Sequence, residues 1–367
     1  MKIVEVTNVD FSLRQFILPL MQGARARGHE VVGVCADGPM LADLRAEGFR
    51  VLPVPMARTL SVPAQVRAFR ALLAVLRAER PDLVHGHMPI SGFLARLAAR
   101  VAGVPRVAYT CHGFLFNQPG PWPRRAAALV MEWIGGRLTD TFLTVSAEEA
   151  RDARRLRIFA AAVPVGNGRD PALFRPDPEA RARLRTGFCV PPERVVITVV
   201  ARLVRSKGHP ELLAAMREVP EAELWVVGER LASDRGKDLE PVFAAAGLGA
   251  RLRRLGYRED VAAVLAASDI FALPSQFEGL PMSIVEAMLV GLPVVACAVR
   301  GPREQVIDGV TGLLVPPGQV APLGRALRRL ADDPALRAAL GAAGRARALE
   351  CYDEASVVAR TLDLLGL

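Results

Sequence analysis

Short runs of consecutive apolar residues alternate along this chain with longer segments in which apolar positions recur at helical spacing. A short apolar run bounded by turn residues has the pattern of a buried strand, whereas apolar positions three and four apart mark a helix face packed on a core. In the first half the runs predict strands over Ile3–Thr7, Val31–Cys35, Val51–Val54, Leu83–His85, Arg106–Cys111 and Thr141–Val145. Helices are predicted between them, among others Phe11–Arg27, Val62–Arg80, Gly92–Val101 and Arg124–Leu138. From Gly166 to Pro192 the pattern lapses; five prolines and mixed charges read as a linker. A second series follows, with strands Val195–Val200, Leu224–Val227, Leu252–Leu255, Ile270–Leu273, Val294–Cys297 and Gly312–Val315. Its helices include Pro210–Val219, Asp238–Ala246, Val261–Ala267 and Pro281–Val290, and Gly318–Gly366 reads as mostly helical. Strands separated by helices form βαβ units, and these build parallel sheets. The expected fold is α/β: two doubly wound, Rossmann-like domains over residues 1–170 and 171–350, followed by a tail, 351–367. Two such domains facing each other would hold ligands in a central cleft, at the carboxyl ends of the strands.

Composition narrows the class. At 367 residues the chain suits two domains of moderate size. Half of it is hydrophobic, with few aromatics, so the cores should be built from Ala, Val and Leu. No stretch reaches the roughly 18 apolar residues of a transmembrane helix. The N-terminus, MKIVEVTNVD, has a strand pattern and not that of a signal peptide. Five scattered cysteines without a Cys-x-x-Cys read as reduced, mostly buried thiols of a cytoplasmic protein. The net charge of +9 is unevenly placed: residues 1–170 hold 22 basic against 14 acidic side chains, residues 171–367 hold 25 against 24. A basic first half suggests an anionic partner there: a membrane surface, a phosphorylated acceptor or nucleic acid. An arginine-rich genome gives the same excess with no partner at all. Nucleic acid is disfavoured, because basic stripes interleaved with aromatics are missing and the chain has only three Trp and three Tyr.

The most informative segment is Phe277–Ala287, FEGLPMSIVEA, which follows a buried strand. Pro281 suits the first turn of a helix, where its missing N–H has no partner to lose. The N–H groups around Gly279, Leu280, Met282 and Ser283 would then form an anion site at the positive end of the helix dipole. Glu278 and Glu286 beside such a site make sense if they contact sugar hydroxyls; alone, they also fit a solvated helix face. The segment resembles the paired-glutamate donor-site motif of the retaining family 4 glycosyltransferases, which have the two-domain GT-B fold. Val199–Gly208, VVARLVRSKG, is similar to the family's G-R-L-x-x-x-K-G loop, with Ala201 where a glycine is common. Arg202 and Lys207 at a strand's carboxyl end can clamp a diphosphate, the one as a fork and the other as a point charge. Read alone, they would equally be solvated loop cations. Leu224–Glu229 resembles a strand ending in V-G-x-G: Gly228 would admit a nucleotide, while Arg230 replaces the second glycine. Leu255–Arg258 resembles the base-binding loop, with Tyr257 backbone groups at the base edge.

In the first half, Tyr109–Phe116, YTCHGFLF, looks like the Thr-x-His-Gly segment of bacterial family members acting on lipid-linked or polysaccharide acceptors. The resemblance places His112 at the cleft, on sugar hydroxyls or a leaving phosphate. His85 and His87, in PDLVHGHMP, read as orienting loops. A metal cluster of His85, His87 and His112 is disfavoured, since their spacing is not that of usual ligand sets. Arg14, in a loop that departs from the family's glycine pair, is a candidate for an acceptor phosphate or a solvated helix cation. Asn167 and Gly168, in VGNGRDPALF, read as turn formers. No Asp-x-Asp occurs, so Arg202, Lys207 and the helix N-terminus would stand in for a metal, and no cofactor is expected.

The resemblance implies transfer of a sugar, from a UDP-sugar donor, to a hydroxyl of a polyprenyl-diphosphate-linked or saccharide acceptor. Configuration would be retained, at the inner face of the cell membrane. The final helix, Tyr352–Leu364, would cross back to the first domain, as in other GT-B proteins. Two other readings remain: a nucleotide-sugar 2-epimerase of the same fold, and a non-catalytic basic protein binding membrane or RNA. Intact Arg202, Lys207, Glu278 and Glu286 argue against the second.

Overall fold

The computed structural model describes residues 1–56, 61–230, 234 and 236–367. They divide into two compact units, Met1–Gly166 together with Ala355–Leu367, and Asn167–Glu354.

The first unit holds strands β1 (Lys2–Val6), β2 (Glu30–Cys35), β3 (Arg50–Pro53), β4 (Leu83–His87), β5 (Arg106–Cys111), β6 (Thr141–Thr144) and β7 (Val163–Pro164). All pair in parallel, in the order β3-β2-β1-β4-β5-β6-β7. Period-two alternation sends Val4, Val6, Val32, Val34 and Val84 to one face, where Leu72, Leu76 and Ala95 of helices Val62–Glu79 and Pro89–Ala102 cover them. Ile3, Leu83, Ala108 and Leu143 go to the other face. With both faces covered, the strands are almost continuously apolar. Glu5, His85 and His87 interrupt that rule, all three buried.

The second unit holds β8 (Val196–Val200), β9 (Glu223–Val227), β10 (Leu252–Gly256), β11 (Ile270–Leu273), β12 (Val294–Cys297) and β13 (Gly312–Val315). Its sheet runs β10-β9-β8-β11-β12-β13. In each sheet the strand order reverses beside the first strand, between β1 and β4 and between β8 and β11. Such switch points leave a crevice at the carboxyl ends, where doubly wound folds bind ligands.

Four details differ from the sequence expectation. Residues 166–192 are not simply a linker, because Pro178–Gly187 is a helix, N-capped by Asp177, which accepts from Ala180 N–H at 2.9 Å. Arg181 and Arg185 on that helix both grip Asp269, at 2.6 and 3.1 Å, so the prolines mark its ends. The division between units falls at Gly166, not at residue 170, because Arg169 N–H donates to the Tyr352 carbonyl at 3.0 Å inside the second unit. The helix expected over Phe11–Arg27 begins at Asp10 and carries a π turn, Leu13–Ile17, before Leu18–Ala26. Pro19 has no N–H to continue the regular ladder, so the turn widens there. Pro281 stands one residue before helix Met282–Val290 and not within its first turn.

The last helix, Glu354–Leu365, returns to the first unit from Ala355 onward. Leu362 and Leu365 fill the core beside Ile3 and Leu20. Arg27 pairs with Asp363 at 2.7 Å and donates to the Leu367 carbonyl at 2.7 Å.

Candidate active site

Loops leaving the carboxyl ends of β8, β9, β10 and β11 are stitched together in the second unit. Ala201 N–H donates to the Val227 carbonyl at 3.0 Å, Gly228 N–H to Gly256 at 2.7 Å, and Gln276 N–H to Ser206 at 2.8 Å. Two glycines permit this closeness. A Cβ on Gly208 (φ 76°) would lie 2.0 Å from the Pro274 carbonyl oxygen, and one on Gly228 (φ 121°) 2.2 Å from that of Ala201. At Gly228 a side chain is excluded by the protein's own backbone.

Onto this frame the sequence-predicted residues converge. Lys207 Nζ lies 2.6 Å from Glu278 Oε1, with the two side chains 19% and 8% exposed. Arg202 is half-exposed and pairs with Asp234; His209 Nε2 holds the Arg202 carbonyl at 2.9 Å. Burial pushes the His209 imidazole below its usual pKa, so it serves here as a neutral hydrogen-bonding group. Glu286, on helix Met282–Val290, meets Arg169 Nε at 2.7 Å. The start of that helix is held by amides: Asn167 donates to the Leu280 carbonyl at 2.8 Å and Gln305 to that of Pro281 at 2.9 Å. Gly279 packs its carbonyl against Gly301, where a Cβ would come within 2.0 Å. Tyr257 is exposed, after Gly256 at φ 66°. Three ion pairs, Lys207–Glu278, Arg202–Asp234 and Arg169–Glu286, thus accompany a helix N-terminus. That set suits a ligand with a diphosphate and several hydroxyls.

His112 and Arg14 belong to the first unit. Arg14 sits on the π turn, 3.8 Å from Glu47. His112 follows β5 and is half-buried; its Nε2 lies 3.2 Å from His87 Nδ1. His87 Nε2 lies 2.7 Å from Glu5 Oε2, and His85 Nδ1 3.1 Å from the same oxygen. His85 Nε2 reaches Thr110 Oγ1 at 2.8 Å. The strand register makes this row, with Glu5 opposite His85 and His87 opposite Thr110. Burial opposes ionisation of Glu5, but the two imidazoles outweigh it and hold its carboxyl down to about 2. Burial and the neighbouring His85 push His87 down to about 4, against the pull of Glu5. Withdrawal from water, then His87 and His85, push His112 well below the ordinary histidine range. The carboxylate and imidazole nitrogens of Glu5, His85 and His87 lie within 4.8 Å of one another, close enough to gather round a divalent cation. They already meet at hydrogen-bond distances, and a cation would take the lone pairs those bonds use.

His85 and His87 therefore lie on β4 itself and orient a histidine and a carboxylate, not loops. Glu5, Arg169, His209 and Asp234 were not singled out in the sequence. Glu5 left a signal, a lone charge within an apolar run; the other three left none.

Comparison with known proteins identifies the family and the fold. The family model described as glycosyl transferases group 1 matches residues 182–347, and that described as glycosyl transferase 4-like domain matches residues 13–168. GDP-mannose-dependent alpha-(1-6)-phosphatidylinositol monomannoside mannosyltransferase of Mycolicibacterium smegmatis is 31% identical over 87% of this chain and 84% of its own. UDP-Gal:alpha-D-GlcNAc-diphosphoundecaprenol alpha-1,3-galactosyltransferase of Escherichia coli is 28% identical over 83% of this chain and 80% of its own. Anabaena Alr3699/HepE, solved with UDP and glucose, superposes with a TM-score of 0.87 at 22% identity, over 100% of this chain and 99% of that one. The fold is GT-B, with two Rossmann-like α/β domains. The chain belongs to the glycosyl transferases group 1 family and is a glycosyltransferase.

Proposed function

We propose that this enzyme moves a hexosyl or N-acetylhexosaminyl group from a UDP-sugar to a hydroxyl of a lipid-linked or saccharide acceptor, with retention and without a metal. The observation that carries the reading is the convergence of Arg202, Lys207, Glu278, Glu286 and a helix N-terminus at the switch point of the second sheet. In this reading the bond between the sugar's anomeric carbon and the diphosphate breaks, and the electron pair leaves with phosphate. Arg202, Lys207 and the helix N–H groups neutralise that charge. The acceptor oxygen attacks from the same face and gives its proton to the departing phosphate. Glu286 holds ribose hydroxyls, Glu278 the transferred sugar, and backbone at Tyr257 the base. His112 touches the sugar, and Arg14 an acceptor phosphate. The relatives support a nucleotide-sugar donor and a lipid-bound acceptor; one uses UDP-galactose and the other GDP-mannose, so the UDP choice leans on the first.

A lipid-linked acceptor implies reversible membrane docking at the cytoplasmic face. Among the described residues no helix is long and apolar enough to cross a membrane. The apolar arc of helix Val62–Glu79 is turned to the core, where Leu72 and Leu76 are buried. Helix Trp122–Arg137 supports docking better. It exposes Trp122 (78%), Val130, Trp133 and Ile134 beside Arg124, Arg125 and Arg137.

The test is a screen of UDP- and GDP-sugars by released nucleotide, with and without bacterial lipid-linked saccharide, in EDTA and in magnesium. Acceptor-dependent release from a UDP-sugar, unaffected by EDTA, with the donor's anomeric configuration kept in the product, is expected. Release without acceptor and with an epimerised sugar would favour the epimerase; rescue of dead enzyme by magnesium would sink metal independence.

A further inference from the structure

We infer that Glu5 and His87 are positioning residues that fix the tautomer of His112, so that His112 offers its ligand a hydrogen-bond acceptor and never a donor. The inference rests on the reading of His112 as a site residue and goes beyond it by stating which partner His112 can accept.

The argument follows the protons. An ionised carboxylate only accepts, so the His87 nitrogen 2.7 Å from Glu5, Nε2, carries the N–H. Neutral His87 has a single N–H, which leaves Nδ1 as a lone pair. His112 Nε2 lies 3.2 Å from that lone pair and must donate to it. Neutral His112 then has its proton on Nε2, and its remaining nitrogen, Nδ1, can only accept. A sugar hydroxyl can donate to such a nitrogen. A phosphate oxygen, which has no proton to give, cannot. Of the two partners the sequence left open for His112, the relay selects the hydroxyl.

The surroundings hold the relay rigid. Glu5 sits on β1 opposite His85 of β4, at the switch point of the first sheet. His85 bonds the same carboxylate at 3.1 Å and is itself held by Thr110 at 2.8 Å. Directly after His87, Met88 takes φ 61°, an uncommon backbone conformation for a residue with a side chain. Ser91 Oγ–H donates to the His87 carbonyl at 2.7 Å and Gly92 N–H to that of Met88 at 2.8 Å, which secures the bend. Each member from Thr110 to His112 has a fixed partner, as a conserved proton order requires.

Long-range proton–nitrogen spectra of the full chain labelled with ¹⁵N-histidine read each ring's tautomer at neutral pH, independently of activity. Both His87 and His112 are expected as the Nε2–H form. In Glu5→Gln the amide can donate to His87 Nε2, the His87 proton moves to Nδ1, and His112 changes to the Nδ1–H form. Turnover should fall about ten- to a hundredfold with donor KM nearly unchanged, and Glu5→Asp should recover both tautomers and part of the rate. A wild-type His112 found as Nδ1–H overturns the inference, with no variant needed. So does a Glu5→Gln protein with reduced turnover and unaltered tautomers, which would mark a packing role. An equimolar divalent metal held by the purified enzyme and lost in Glu5→Gln would replace the relay by a metal centre. Normal turnover in His112→Ala would instead remove His112 from the site while the spectra still judge the relay.

Discussion

Lys207 and Arg202 both carry charge to the rim of the second unit, but their pairings give them different dependences. The Lys207–Glu278 pair is largely buried, so removing the lysine leaves a carboxylate without a partner in poor contact with water. Lys207→Met should cost on the order of 3 kcal/mol of stability, most of it recovered in Lys207→Met/Glu278→Gln. Arg202 is itself half-exposed, and its buried partner Asp234 has a further contact to fall back on, so Arg202→Ala should cost less than the lysine, on the order of 1 kcal/mol. Nucleotide affinity should fall about ten- to a hundredfold in all three variants. Melting curves and titration calorimetry check both halves; equal melting of the two single variants would refute the contrast. The histidine row predicts a pH dependence. Folding lowers the His87 pKa from 6.5 to about 4, so the unfolded chain binds more protons in that range and stability falls as pH drops through it. Glu5, lowered from 4.5 to about 2, adds a loss in the same direction at lower pH. Urea midpoints between pH 7 and 4 should decline, and His87→Gln should flatten that decline; an unchanged slope in the variant would remove His87 as its source. Sequence reading singled out Arg202, Lys207, Glu278 and Glu286, because a motif spells them within short spans. It missed the partners Glu5 and Arg169, because each meets its site through the fold: Glu5 and His87 are 82 residues apart, Arg169 and Glu286 117.

Strands and long helices were legible because one period or the other dominates them. Elements whose stability comes from elsewhere were not. The helix Pro178–Gly187 shows weak periodicity and is held by Arg181 and Arg185 on Asp269, so it read as linker. The helix Val62–Glu79 had a clear apolar arc, but an arc alone does not say whether a sheet or a bilayer covers it; here the sheet does. Helix Trp122–Arg137 is the converse. Its weak pattern conceals exposed Trp122 and Trp133, the latter with Arg137 stacked at 3.8 Å on its ring. Trp and Arg together are the side chains of a membrane–water interface. Trp122→Ser/Trp133→Ser should sharply reduce co-sedimentation with anionic vesicles at low salt and leave the melting temperature nearly unchanged, since little buried surface is lost. Binding that survives this variant, or that is equal on neutral vesicles, would count against docking through this helix. Each arginine near an acidic surface contributes about 1 kcal/mol, so release at high salt is expected as well.

At the scale of the molecule, the two sheets share one winding order, and each carries its candidate chemistry where that order reverses. That both sheets are parallel and doubly wound followed from the alternation of strand and helix in the sequence. The division of the chain did not, because nothing local to Arg169 announces that its backbone pairs with Tyr352–Glu354. Removing residues 355–367 takes Leu362 and Leu365 out of a core, each worth about 1.5–3 kcal/mol. The truncated chain should lose amide-exchange protection in β1 and β2 while β8 and β11 keep theirs; uniform protection would show that the last helix is dispensable. Proteins made on ribosomes commonly fold their domains in the order of synthesis. Here residues 355–367 emerge only after the whole of the second unit. The second unit can therefore close while the first, although made earlier, still waits with one core face open to water. A chaperone acting during translation would find its client in the first-made half, and a stall late in the message would release a chain with a finished second unit and an unfinished first.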